Sequence, residues 1–212
     1  MWGFELVVLV ELRSIDPIPV LPESTVPHVA RDALWLVEVD RPSPEAAMLW
    51  AGNFFDSRDA DSSAPVRSSR WAAFRLLHLW IGRHDHPMGG LKRNLMGAAL
   101  AVWLTRHARV DEMKQALTEW EYFGRGAYGM NEASRAYFGR EPSGLTVAQI
   151  AVLVGLPQLP TRYGSACKPE QAAKRRTYVL TRMRDEHLIS DDEFSAAASE
   201  AHVLLPDSSR CQ

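Results

Sequence analysis

The chain has 212 residues, 46% hydrophobic and 24% charged, which is enough apolar material to bury a core and excludes a disordered composition. A formal net charge of −2 and a pI near 6.4 exclude the strong basic excess of a domain built to hold nucleic acid. Cys167 and Cys211 form no Cys-x-x-Cys pair, so no zinc or redox motif is supported, and a disulfide and two free thiols both stay open.

Residues 1–27 are punctuated by Pro17, Pro19, Pro22 and Pro27, which disfavours helix and predicts an extended amino-terminal segment with a short strand at Glu5 to Leu12. Phe4 to Leu12 is far shorter than the about 20 apolar residues of a membrane span and lacks a basic start and a small-residue cleavage site. The chain as written therefore predicts neither an anchor nor an export signal. Val26 to Val39 reads as a helix with Val29, Ala33, Leu36 and Val37 on one face, stopped by Pro42 and Pro44. Residues 56–65 are polar and aperiodic and predict a loop; Trp71 to Ile81 is apolar and predicts a helix.

After a turn at His84 to Gly90, Leu91 to His107 predicts a helix. Asp111 to Tyr122 predicts the next, with Met113, Ala116, Leu117 and Trp120 at helical spacing. Asn131 is placed to cap a short helix ending near Phe138. Thr146-Val-Ala-Gln149 predicts a capping box ahead of the apolar run Ile150 to Leu156, Pro169 the start of a long helix, and Ser190-Asp-Asp-Glu193 a second capping box. The fold class expected is mainly α. The tryptophans Trp71, Trp80, Trp103 and Trp120 are read as core anchors, with a membrane interface as the alternative. Lys174, Arg175, Arg176, Arg182 and Arg184 predict a basic stripe on the long helix, either a solvated face or a contact for anionic lipid headgroups. His84 and His86 with Asp85 fall short of the three or four ligands a zinc site needs.

Glu121-Tyr-Phe-Gly-Arg-Gly-Ala-Tyr-Gly129, then Ala133 and Tyr137-Phe-Gly-Arg140, resembles a signature of the family 51 glycosyltransferases. These are the lipid II polymerases of class A penicillin-binding proteins and monofunctional transglycosylases. The likeness continues through Leu145-Thr-x-Ala-Gln to Pro157, Pro160-Thr-Arg-Tyr163, and Arg175-Arg176-x-Tyr-Val-Leu180, and is strongest over residues 91–198. It implies a lysozyme-like, mainly α domain over residues 28–205 that follows the extended segment 1–27. Gly124, Gly126 and Gly129 would allow positive φ and close backbone approach, and Arg125 and Arg140 bring charge suited to a pyrophosphate. A plain turn with solvated arginines is the other reading of those residues.

The resemblance also implies a general-base glutamate within E-D-x-x-F-x-x-H-x-G that deprotonates a sugar 4-hydroxyl, cationic groups for the leaving pyrophosphate, and a divalent metal, Mg or Mn. Ala33-Leu-Trp-Leu-Val-Glu38-Val-Asp40-Arg41 resembles the A-L-x-x-x-E-D-R segment with one residue inserted, and Glu38 precedes Arg93 by 55 positions, near the family separation. Glu38 is thus the candidate base; a solvated carboxylate at a helix end is the alternative. Lys92 and Arg93 fall on the R-K-x-x-E motif and, with Arg125, Gly126 and Arg140, are the candidate substrate-binding residues. No residue is assigned to a metal.

Other signatures are altered. Gly97 stands where the second essential glutamate belongs, G-G-S-T-I-T-Q-Q is absent, and Gln115, Leu117 and Glu119 replace the Glu, Tyr and Asn of I-L-E-x-Y-L-N. Loss of groups that act as a unit removes most of a rate enhancement. Three readings follow: a divergent peptidoglycan glycosyltransferase acting on lipid II, an inactive relative that binds lipid II or cell-wall synthesis proteins, and a truncated relic. The implied place of work is the membrane surface, at the outer face of the cytoplasmic membrane, and no nucleic-acid partner is expected.

Overall fold

The computed structural model describes residues 24–39, 72, 75, 76, 78, 79, 108–157 and 169–200. The chain forms two compact units, one of residues 1–22 and 39–116, the other of residues 23–38 and 117–212. In the first unit, residues 72, 75, 76, 78 and 79 are helical, as expected from the apolar run, with Ala72 and Leu76 buried. The expected strand at Glu5 to Leu12, the helix Leu91 to His107, the pair His84 and His86, both cysteines, and Trp71, Trp80 and Trp103 lie outside the described residues.

The described secondary structure is helical: α1 (His28–Glu38), α2 (Val110–Trp120), α3 (Met130–Phe138), a 3-10 turn (Pro142–Gly144), α4 (Val147–Gly155), α5 (Pro169–Asp185) and α6 (Asp191–Ser199). In the second unit α4 is the hub, packing on α1, α3, α5 and α6, while α5 also packs on α1 and α6. Its sequence explains this position. Ala148 and every residue from Ile150 to Gly155 are buried, and a helix apolar all round belongs in a core. The Thr146 hydroxyl accepts the Gln149 N–H while the Gln149 side chain accepts the Thr146 N–H, so the expected capping box closes its amino end. Ser190 and Glu193 do the same for α6, and the N–H and hydroxyl of Ser190 together hold the Glu193 carboxyl below the usual glutamate range.

Helix α1 begins two residues later than Val26, and its burial is broader than one face. Ala33 to Val37 are buried in succession, whereas Val29 is only half-buried. The physical reason is that α1 has two neighbours, α4 and α5, instead of one. Trp35 is a core residue and Trp120 is half-buried.

The basic stripe expected on α5 is divided: Lys174 is exposed, Arg176, Arg182 and Arg184 are half-buried, and Arg175 is buried. Arg175 is 8% exposed, and its Nε donates to the Gly155 carbonyl on α4 at 3.3 Å. Arg176 donates to the carbonyls of Glu200 (2.9 Å) and Ala198 (3.4 Å), satisfying acceptors at the end of α6. Arg184 pairs with Asp185 at 2.8 Å and lies over the Phe194 ring at 4.6 Å. Sequence spacing alone put these residues on one surface; α4 takes up Arg175 and the end of α6 engages Arg176, while Lys174 keeps an exposed position.

Helix α5 ends in a Schellman motif. Leu188 N–H donates to the Met183 carbonyl (2.8 Å) and His187 N–H to that of Arg184 (2.9 Å), with His187 at φ 56°. An exposed histidine thus occupies a left-handed position that glycine holds at lower cost. His187→Gly is expected to stabilise the chain by about 1 kcal/mol, raising the melting temperature by about 2–4 °C in a thermal scan.

Candidate functional site

Residues 121–129 form a miniature hairpin between α2 and α3. Phe123 N–H donates to the Ala127 carbonyl (3.0 Å), Ala127 N–H to that of Gly124 (2.9 Å) and Gly129 N–H to that of Glu121 (2.8 Å), and Tyr122 and Tyr128 form an antiparallel bridge. The reversal is made by three successive left-handed residues, Gly124 (φ 86°), Arg125 (φ 54°) and Gly126 (φ 76°). The glycines expected to supply positive φ do so, and Arg125 joins them at the strain of a residue with a side chain.

The loop is anchored from below. Phe123 is fully buried, and its carbonyl accepts the Tyr137 hydroxyl at 2.9 Å. The Arg125 guanidinium lies over the Tyr137 ring, 4.3 Å from its centroid. Tyr137 is in the last turn of α3, and Arg140 follows the left-handed cap at Gly139. Arg140 is exposed, and its carbonyl accepts the Ser134 hydroxyl at 2.5 Å. Beside it, Arg135 grips Glu141 with two bonds (2.7 and 3.1 Å), holding the Glu141 carboxyl low and raising the Arg135 guanidinium.

Sequence reasoning misplaced one residue and missed others here. The N-cap of α3 is Gly129, not Asn131. Asn131 lies inside the first turn and donates to Glu119 Oε1 (3.3 Å), which also accepts the Ser24 hydroxyl (2.6 Å). Glu119 therefore ties Ser24, in the segment ahead of α1, to the start of α3. Glu121, 1% exposed, accepts the Tyr122 N–H at 3.2 Å and opens the loop. No spacing pattern announced a buried carboxylate at that point.

Glu38 is the last residue of α1, half-buried, with Oε1 shielded from solvent. Lys92, Arg93 and Gly97 lie outside the described residues. Among the described residues, no three His, Cys, Asp or Glu side chains converge on a metal position. Also among the described residues, no helix is long and apolar enough to cross a membrane.

The profile of the transglycosylase family matches residues 78–184, half of the chain, and that span contains the whole loop with Arg125, Gly126 and Arg140. The chain belongs to that family. Penicillin-binding protein 1A/1B of Bacillus subtilis is 38% identical over 112 residues, 52% of this chain and 12% of its own length. A protein named as a transglycosylase in Cupriavidus necator is 34% identical over 108 residues, 51% of this chain and 47% of its own. The solved penicillin-binding protein 1A of Haemophilus influenzae shares 29% identity across 49% of this chain and 16% of its own, with a TM-score of 0.41. The chain thus spans less than half the length of the relatives it matches. Family membership carries the mainly α, lysozyme-like fold. Within this chain, Lys92 and Arg93 lie in the matched segment and Glu38 lies before it.

Proposed function

We propose that this chain is a divergent peptidoglycan glycosyltransferase-like protein that engages lipid II, the undecaprenyl-pyrophosphate-linked disaccharide, through Arg125, Gly126 and Arg140 together with Lys92 and Arg93. The observation that carries the reading is the left-handed run 124–126 with an arginine at its centre, inside the family segment. Backbone opened by two glycines lets a phosphate approach closely, and guanidinium groups match its oxygens.

In a polymerising chain, Glu38 takes the proton of the acceptor sugar's 4-hydroxyl. That oxygen bonds to the anomeric carbon of the donor while the carbon's bond to undecaprenyl pyrophosphate breaks, the pyrophosphate leaving with the electron pair. A half-buried carboxylate at a helix end, with one oxygen shielded and the group still partly open to solvent, suits such a role. Gly97 in place of a glutamate favours a second reading, a chain that binds lipid II with weak or no polymerisation. Either reading places the protein at the outer face of the cytoplasmic membrane, at the membrane surface and among other cell-wall synthesis proteins.

Fluorescent lipid II incubated with the chain, with and without Mg or Mn, tests both. Glycan from the native chain and none from Glu38→Gln is the result for an enzyme. Lipid II bound without glycan is the result for the binding reading. Arg125→Ala is expected to weaken lipid II binding at least about tenfold, because charge-assisted bonds are worth about 1.5–3 kcal/mol. Unchanged affinity in that variant refutes the phosphate role.

A further inference from the structure

We propose that Tyr122 and Tyr128 form a platform on which a pyranose ring of the glycan stacks, with the Glu132 carboxylate at its edge accepting sugar hydroxyls. The inference rests on the glycan reading above and adds the group that would hold the sugar, as distinct from its pyrophosphate.

The two tyrosines depart from the rule that governs the rest of the loop. Phe123, Ala127 and Met130 are buried, while Tyr122 and Tyr128 are 37% and 43% exposed. Their bridge places them side by side, ring centroids 4.8 Å apart and planes tilted by 42°. Gly126 N–H reaches the Tyr122 hydroxyl at 3.4 Å, and the backbone N–H of Tyr128 donates to Glu132 Oε2 at 3.0 Å, which brings that carboxylate next to the pair.

A pyranose ring suits this surface chemically. Its face of C–H groups is weakly positive and meets the negative face of an aromatic ring, while its rim of hydroxyls needs acceptors. A carboxylate offers about four acceptor positions, and the Tyr128 N–H uses one of those on Glu132. A lipid surface suits it less. Seating the pair among acyl chains would desolvate the exposed Glu132 carboxylate beside it.

The test is calorimetric titration of the full chain with chitotetraose, an uncharged β-1,4 N-acetylglucosamine tetramer without pyrophosphate. The native chain is expected to bind. Tyr128→Leu, which keeps apolar bulk without a flat face, is expected to bind about tenfold more weakly, and Tyr128→Phe within about twofold of native. Three results would overturn the platform: no binding by the native chain, equal affinity in Tyr128→Leu, or equal loss in Tyr128→Phe. A fourth is native binding to phosphatidylglycerol vesicles that Tyr128→Leu abolishes while chitotetraose affinity stays unmoved, which assigns the pair to the membrane. Undecaprenyl pyrophosphate is titrated in parallel. If the native chain takes chitotetraose in a Tyr128-dependent way but not the pyrophosphate, the phosphate role of Arg125 fails and the platform stands. The reverse pattern defeats the platform alone.

Discussion

Gly129→Ala is expected to destabilise the chain by about 3 kcal/mol, enough to lower the melting temperature by about 6–12 °C. Two costs combine. Gly129 has φ 85° and ψ 152°, a region open in practice only to glycine, and a side chain forced there costs about 1–3 kcal/mol. A Cβ built at this position also lies 2.9 Å from the Glu119 carbonyl oxygen, which is backbone and cannot swing aside. The neighbouring Gly126 separates these costs. It too has positive φ (+76°), but a Cβ there meets nothing within 4 Å, so Gly126→Ala should cost only about 1–2 kcal/mol. Denaturant midpoints of the two variants measure the difference. Equal midpoints would mean that the contact with Glu119 does not hold the loop.

Arg175→Ala is expected to cost about 2–4 kcal/mol, a large share of the 5–15 kcal/mol that typically holds a domain together. The side chain lies between α5 and α4, stacks on the Tyr178 ring at 5.0 Å and donates to the Gly155 carbonyl. Truncation leaves a cavity and deprives that buried carbonyl of its arginine donor. Gly155 is the complementary half of the contact. A Cβ there would stand 3.0 Å from Arg175 Cγ and 3.7 Å from Val179 Cγ2, so the arginine fits because position 155 has no side chain. Lysine should not rescue Arg175, since it lacks the planar group that both stacks and donates. Denaturant unfolding of the Ala and Lys variants checks this; full stability in the alanine variant would show that the arginine is dispensable to the packing of α5 on α4.

What could be read from the sequence shares one property: it depends on residues close together in the chain. The capping boxes at Thr146 and Ser190 need only a hydroxyl and a carboxamide or carboxylate three positions on. The opening of α5 at Pro169 and the positive φ at Gly124, Gly126 and Gly129 follow from single-residue conformational limits. The transglycosylase family was legible because its glycine-loop signature is itself a short, contiguous pattern.

What only the tertiary structure decided depends on which surfaces meet. Arg175 and Arg176 read as part of a basic stripe, solvated or lipid-facing, until α4 and α6 supply their carbonyl partners. Asn131 looked like a cap, but Gly129 starts α3 because its backbone can take a conformation closed to side-chain-bearing residues, which leaves Asn131 to Glu119. The exposure of Tyr122 and Tyr128 beside a buried Phe123 follows from the register of one small hairpin. Local propensity and motif spacing are properties of the chain, and they determined the helices and the family. Burial and partnership are properties of pairs of elements distant in sequence, and they appear only when those elements are packed.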